Sequence, residues 1–129
     1  MDGFIARESA YDVPATLQRL KAALNAKAIT VFSVIDHAEG AAQAGLSLRP
    51  TVLVIFGNPK SGTPLMQASQ TAAIDLPLKI LIWEDEAGKT RLAYNDPAWI
   101  AARHGAGGSV ASALSAMLAR LAGEVSGEN

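Results

Sequence analysis

The chain has 129 residues, half of them hydrophobic and 18% charged, with no cysteine and a formal net charge of −1. That composition excludes a disordered chain, a disulfide framework, a thiolate metal site and a thiol nucleophile. Eleven basic residues are scattered singly among twelve acidic ones, so no basic footprint for nucleic acid or an anionic membrane is present.

The length is that of one domain, residues 1–129, large enough to fold without staples. The start, Met1 to Glu8, lacks the basic-then-apolar order of a secretory signal. The longest apolar run, near Val52 to Phe56, falls far short of the roughly 20 residues that span a bilayer. The expectation is a cytoplasmic protein with neither membrane nor nucleic-acid partner.

Residues 4–9 read as a short strand. Val13, Leu17, Leu20 and Leu24 recur at helical spacing, with Asp12 as N-cap and Pro14 in the first turn, which predicts a helix over 13–26. Residues 28–36 are rich in β-branched side chains with apolar groups on both faces, the pattern of an interior strand. A short alanine-rich helix from His37 to Ala44 stops at Gly45. Thr51 to Phe56 is a second buried strand, with Pro50 before its ladder.

Residues Gly57 to Gly62 read as a loop, followed by Thr63 as N-cap and Pro64 as first residue of a short helix that ends before Asp75. Leu78–Glu84 and Thr90–Tyr94 form a hairpin around a longer turn. Asn95-Asp96-Pro97 opens another short helix, and Val110, Leu114, Met117, Leu118 and Leu121 mark a last long one. Clustered strands and a hairpin predict an α+β fold, with a mainly antiparallel sheet and the long helices on one face.

Three strand-to-helix junctions are candidate binding segments. In the first, Gly57, Asn58, Lys60, Ser61, Gly62 and Thr63 precede a helix start, where free N–H groups and a lysine favour an anion. The P-loop pattern is not met, because Thr63 rather than lysine follows Gly62. In the second, Asp36 and His37 stand at the end of a strand with Glu39 behind them. Adjacent strand residues point to opposite sides, and Asp36 also suits a helix cap, so no metal site is assigned. In the third, Asn95 and Asp96 open a helix, and His104 sits at its end, where the helix dipole alone accounts for a histidine. No Ser-His-Asp spacing and no G-x-S-x-G elbow are present.

Asp36-His37, Arg49-Pro50-Thr51, Phe56-Gly57-Asn58-Pro59-Lys60-Ser61-Gly62-Thr63-Pro64-Leu65-Met66, Asp75-Leu76-Pro77-Leu78-Lys79, Tyr94-Asn95-Asp96-Pro97 and Arg103-His104 together resemble the bacterial domain-of-unknown-function 302 family. The Gly-Asn-Pro-Lys-x-Gly-Thr-Pro-Leu-Met string is the specific part. Lys27 departs from the pattern, since the family often has glycine there. The resemblance implies a β-α-β(4)-α domain with a curled sheet, similar in outline to the TATA-box-binding-protein-like group, and a homodimer. It implies no reaction and carries over no catalytic residue, and the cofactor stays unknown.

Three functional readings follow. The first is a small-molecule-binding or accessory module that takes a small or anionic ligand in a site joining all three segments. The second is an enzyme with His37 or His104 as acid/base and Lys60 as electrostatic stabiliser. A structural partner-binding domain is the third reading.

Overall fold

A computed structural model describes residues 1–127, so the last two residues of the expected domain lie outside the described residues. The chain runs β1 (Phe4–Glu8), α1 (Val13–Ala26), β2 (Thr30–Asp36), α2 (His37–Gln43), β3 (Thr51–Gly57) and α3 (Pro59–Ala68). A 3-10 turn over Gln70–Asp75 follows, then β4 (Leu78–Glu84), β5 (Thr90–Asn95), α4 (Pro97–Arg103), a second 3-10 turn (Gly108–Val110) and α5 (Ser112–Ser126). The five strands form one open sheet in the order β1-β5-β4-β3-β2, antiparallel throughout. The α+β expectation is met.

The sheet buries one face. Val52, Val54 and Phe56 on β3, Leu78, Ile80 and Ile82 on β4, and Leu92 and Tyr94 on β5 all join one core. They meet Leu20 and Leu24 of α1 and Leu114, Leu118 and Leu121 of α5, as the two predicted apolar stripes require. The long helices are also tied to each other. Arg19 donates from Nε to the Val125 carbonyl at 3.0 Å and from Nη2 to the Glu124 carbonyl at 2.8 Å. A guanidinium there answers the unpaired carbonyls and negative dipole end of α5.

Two expectations are corrected. Residues 28–36 were expected to be an interior strand, but β2 is an edge of the sheet, and Phe32, Val34 and Ile35 are exposed. Apolar residues on both faces of a strand do not reveal whether a neighbour lies beyond it. Val110 lies in the 3-10 turn before α5 rather than on that helix. Asp12 caps α1 as expected, accepting from the Ala15 N–H at 2.8 Å, and Gly45 ends α2 with φ of +76°.

Phe56 is fully buried at the centre of this core. Phe56→Ala is expected to cost about 3–5 kcal/mol in urea unfolding, as large-to-small core changes do. Ile55→Ala, on the half-exposed opposite face, is expected to cost clearly less.

Candidate functional site

The strand register places the three junctions. Thr30 pairs with Gly57 and Asp36 pairs with Val52, so Asp36-His37 and Gly57 stand at opposite ends of β2–β3. Five residue steps of extended chain carry Val52 to Gly57, about 17 Å at roughly 3.4 Å per residue. The Asn95–His104 segment, by contrast, starts from the end of β5 that lies with the Gly57 end of β3. The single composite site is therefore not assembled: two segments share an end of the sheet, and Asp36 and His37, both exposed, lie at the other.

At each junction an Asp or Asn serves as helix cap. Asp36 accepts from the Glu39 N–H at 2.9 Å, Asn58 from the Lys60 N–H at 2.9 Å, and Asp96 from the Ala98 N–H at 3.0 Å. Ser115 of α5 donates to Asp96 at 2.6 Å, which fixes α4 to the last helix. Sequence reasoning placed the start of α3 at Thr63-Pro64, but the helix begins at Pro59 and contains both residues. Asn58-Pro59 offers the same cap-then-proline chemistry one turn earlier, and Pro64 is accommodated inside the helix.

This shift changes what the loop can bind. Pro59 has no N–H. The Lys60 N–H goes to the Asn58 side chain, and the N–H groups of Ser61 and Gly62 both go to the Asn58 carbonyl at 2.9 and 3.0 Å. The first turn of α3 thus keeps its donors for itself. Lys60, Ser61 and Thr63 are exposed around it, and Asn95 is exposed at the end of β5.

Beside that turn lies a hollow of about 270 Å³. Phe32 of β2, Gly57 at the end of β3, Pro59 and Met66 of α3, the stretch Ala73–Leu78 without Ile74 and Asp75, and Leu114 of α5 supply its main walls. Asn58, Ser61, Gly62 and Thr63 complete the rim. Most of the lining is carbon. Gly57 permits the close packing there, since a Cβ on it would stand 3.3 Å from Phe32 Cε2 and 3.8 Å from Pro77 Cβ.

A polar cluster braces the same end from outside. Asp75 receives Arg103 Nη1 at 2.9 Å on both carboxylate oxygens and His104 Nε2 at 2.6 Å. A carboxylate only accepts, so Nε2 carries the proton. In the neutral ring Nδ1 then accepts from the Thr71 hydroxyl at 2.9 Å. Ser69 Oγ donates to the His104 carbonyl at 2.8 Å. The cluster clamps α4 to the turn that leads into Leu76-Pro77, joined by a cis peptide. Lys79 Nζ donates to the Pro77 carbonyl at 2.9 Å, and partial burial lowers its pKa while Asp75 acts in the opposite direction. Among the described residues no group of acidic and histidine side chains is arranged to hold a metal.

Sequence reasoning missed Phe32, Ala73, Leu76, Pro77 and Leu114 as lining, and Asp75 as the centre of the clamp. Leu76 and Pro77 stood within a string noted for its resemblance, but apolar residues at a junction carry no chemical signal of their own. Phe32 and Leu114 are brought there only by the fold.

The chain matches the model of the family described as "Domain of unknown function DUF302" over residues 5–124 and belongs to that family. The crystal structure of an uncharacterized conserved DUF302 protein from Bacillus stearothermophilus has the same fold, with a TM-score of 0.87 at 16% identity, covering 97% of this chain and 99% of that one. The chain is also 47% identical over 116 residues to a protein of Brucella suis biovar 1 (strain 1330) named fluoride-specific ion channel FluC 1. A protein of that name from Brucella abortus biovar 1 (strain 9-941) matches equally. The match covers 90% of this chain but 46% and 43% of those relatives, so the chain spans less than half of their length. Among the described residues no helix is long and apolar enough to cross a membrane.

The cap assignment is testable by urea unfolding. Asn58→Ala is expected to cost about 1 kcal/mol, the usual loss on removing an N-cap. Thr63→Ala, a substitution at an exposed mid-helix position, is expected to stay within about 0.5 kcal/mol.

Proposed function

We propose that this domain is a binding module whose site is the apolar hollow between α3, β2 and the Leu76-Pro77 turn, working as a homodimer. One observation carries the reading: the family-like string from Gly57 to Met66 satisfies its own polar backbone and turns carbon toward a space of about 270 Å³. Engineered apolar cavities of about 150 Å³ already take up benzene, so a larger open one accommodates a compact hydrophobic molecule of one or two rings. Shape and desolvation favour such a ligand over an inorganic anion, because the first-turn N–H groups are engaged. The enzymatic alternative, with His37 or His104 as acid/base and Lys60 as stabiliser, draws less support, since none of the three lines the hollow. Titration with naphthalene or indole is expected to move the Phe32 and Met66 resonances, whereas millimolar phosphate leaves the amides of Gly57–Leu65 in place. Ala73→Trp, which fills the hollow from an exposed turn, is expected to weaken uptake at least about tenfold, or 1.4 kcal/mol, with the fold retained. Shifts from phosphate but none from either aromatic compound would overturn the reading.

The Brucella relatives favour a second, compatible reading: an accessory domain to a membrane protein. Their names state fluoride channel activity, and more than half of each lies outside the match. A pore made of helices would then belong to that remainder. In liposomes holding the full-length Brucella suis protein, deletion of the segment matching this chain is expected to leave fluoride efflux intact and change only its regulation. Loss of efflux from a correctly inserted truncation would count against an accessory role.

A further inference from the structure

The hollow beside α3 has two unlike parts. Its walls are carbon, with Phe32, Met66, Leu76, Pro77 and Leu114 among them. Its rim is the first turn of α3, and that turn carries side-chain donors the fold leaves unused. Among the described residues no group pairs with the Lys60 ammonium or with the hydroxyls of Ser61 and Thr63, all of them exposed. Asn58 gives its Oδ1 to the Lys60 N–H, so its side-chain nitrogen keeps two N–H groups to donate. Lys60 and Thr63 are neighbours on the helix surface, since residues at i and i+3 stand about 5–6 Å apart at Cβ. The long lysine side chain therefore reaches the hydroxyl on the rim. Gly62 leaves room for a head group between them, because a Cβ built there would meet no atom within 4 Å.

No acidic residue lines the hollow. Asp75, which precedes the lining residue Leu76, is taken up by Arg103 and His104. An ammonium and an amide nitrogen only donate, and a hydroxyl is able to. A head group that only accepts suits such a set, and an ionised carboxylate is of that kind. The backbone N–H groups of the turn are engaged, so a carboxylate meets mobile side chains rather than fixed dipoles. Exposed charge pairs contribute little by themselves, which leaves a free inorganic anion without a hold. Burial of an apolar body in the hollow supplies that hold and keeps an attached carboxylate beside its donors, at high effective concentration. An aromatic body matches the ring of Phe32 and the polarisable thioether of Met66.

We infer that the ligand of the hollow is an aromatic carboxylic acid, with its rings against Phe32 and Met66 and its carboxylate at the rim among Asn58, Ser61, Thr63 and Lys60. This rests on the reading of the hollow as a binding site and names its ligand class. Naphthoate, naphthamide and naphthylmethylammonium, all substituted at the same ring carbon, share a body and differ in the charge of the head. Each is titrated into the full-length protein while the Phe32 and Met66 resonances are followed. At low ionic strength naphthoate is expected to bind about fivefold more tightly than naphthamide, the upper end for one exposed ion pair, and the ammonium compound least tightly. The preference is expected to shrink in about 1 M salt, where charges are screened beyond about 3 Å. Lys60→Gln is expected to lose most of it, with native near-ultraviolet circular dichroism. If neither these compounds nor naphthalene moves Phe32 or Met66, the binding reading of the hollow falls and this inference with it. If naphthamide binds and naphthoate binds no more tightly, or Lys60→Gln keeps the full preference, the carboxylic acid assignment alone is overturned.

Discussion

One-sided burial of the sheet is the constraint on which the rest of the structure depends. Val54, Phe56, Ile80 and Leu92 share a face because residues two apart on a strand point the same way. The helices α1 and α5 cover that face and no other part of the sheet so completely. A register slip of one residue would turn these side chains out of the core, so the pairing is fixed. Fixed pairing decides which strand ends lie together. It puts the start of α3 beside the Leu76-Pro77 turn and the opening of α4, and sends α2 to the far end.

The polar residues that draw attention at the junctions then have a common explanation. Asp12, Asp36, Asn58 and Asp96 each accept from the first turn of the helix that follows. A short acceptor side chain at a strand-to-helix switch satisfies N–H groups that the helix itself leaves unpaired. Their engagement removes the fixed dipoles an anion would need. What stays available inside the hollow is carbon and shape, and this is why the binding reading turns on an apolar hollow.

The family membership and the shared fold agree with this architecture without assigning it a reaction. A likeness at 16% identity reaches the backbone, not the lining of a site. The Brucella relatives are closer in sequence but extend well beyond the matched region. Their named activity is a property of longer chains, so the chemistry of this domain has to be argued from its own walls and edges.

The amino-acid sequence alone determined the elements with strong local signals. The helices at 13–26 and near the end follow from apolar spacing, the hairpin from two β-rich runs around a turn, and the caps Asp12 and Asp96 from their place before proline-containing first turns. Local chemistry failed where two choices were locally equal: Asn58-Pro59 and Thr63-Pro64 both look like a helix start, and the helix takes the first. The position of β2 at an edge, the separation of His37 from Gly57, and the meeting of Phe32 with Pro77 and Leu114 were decided by tertiary structure. Each depends on which strand lies beside which, a relation between distant residues that no local pattern encodes.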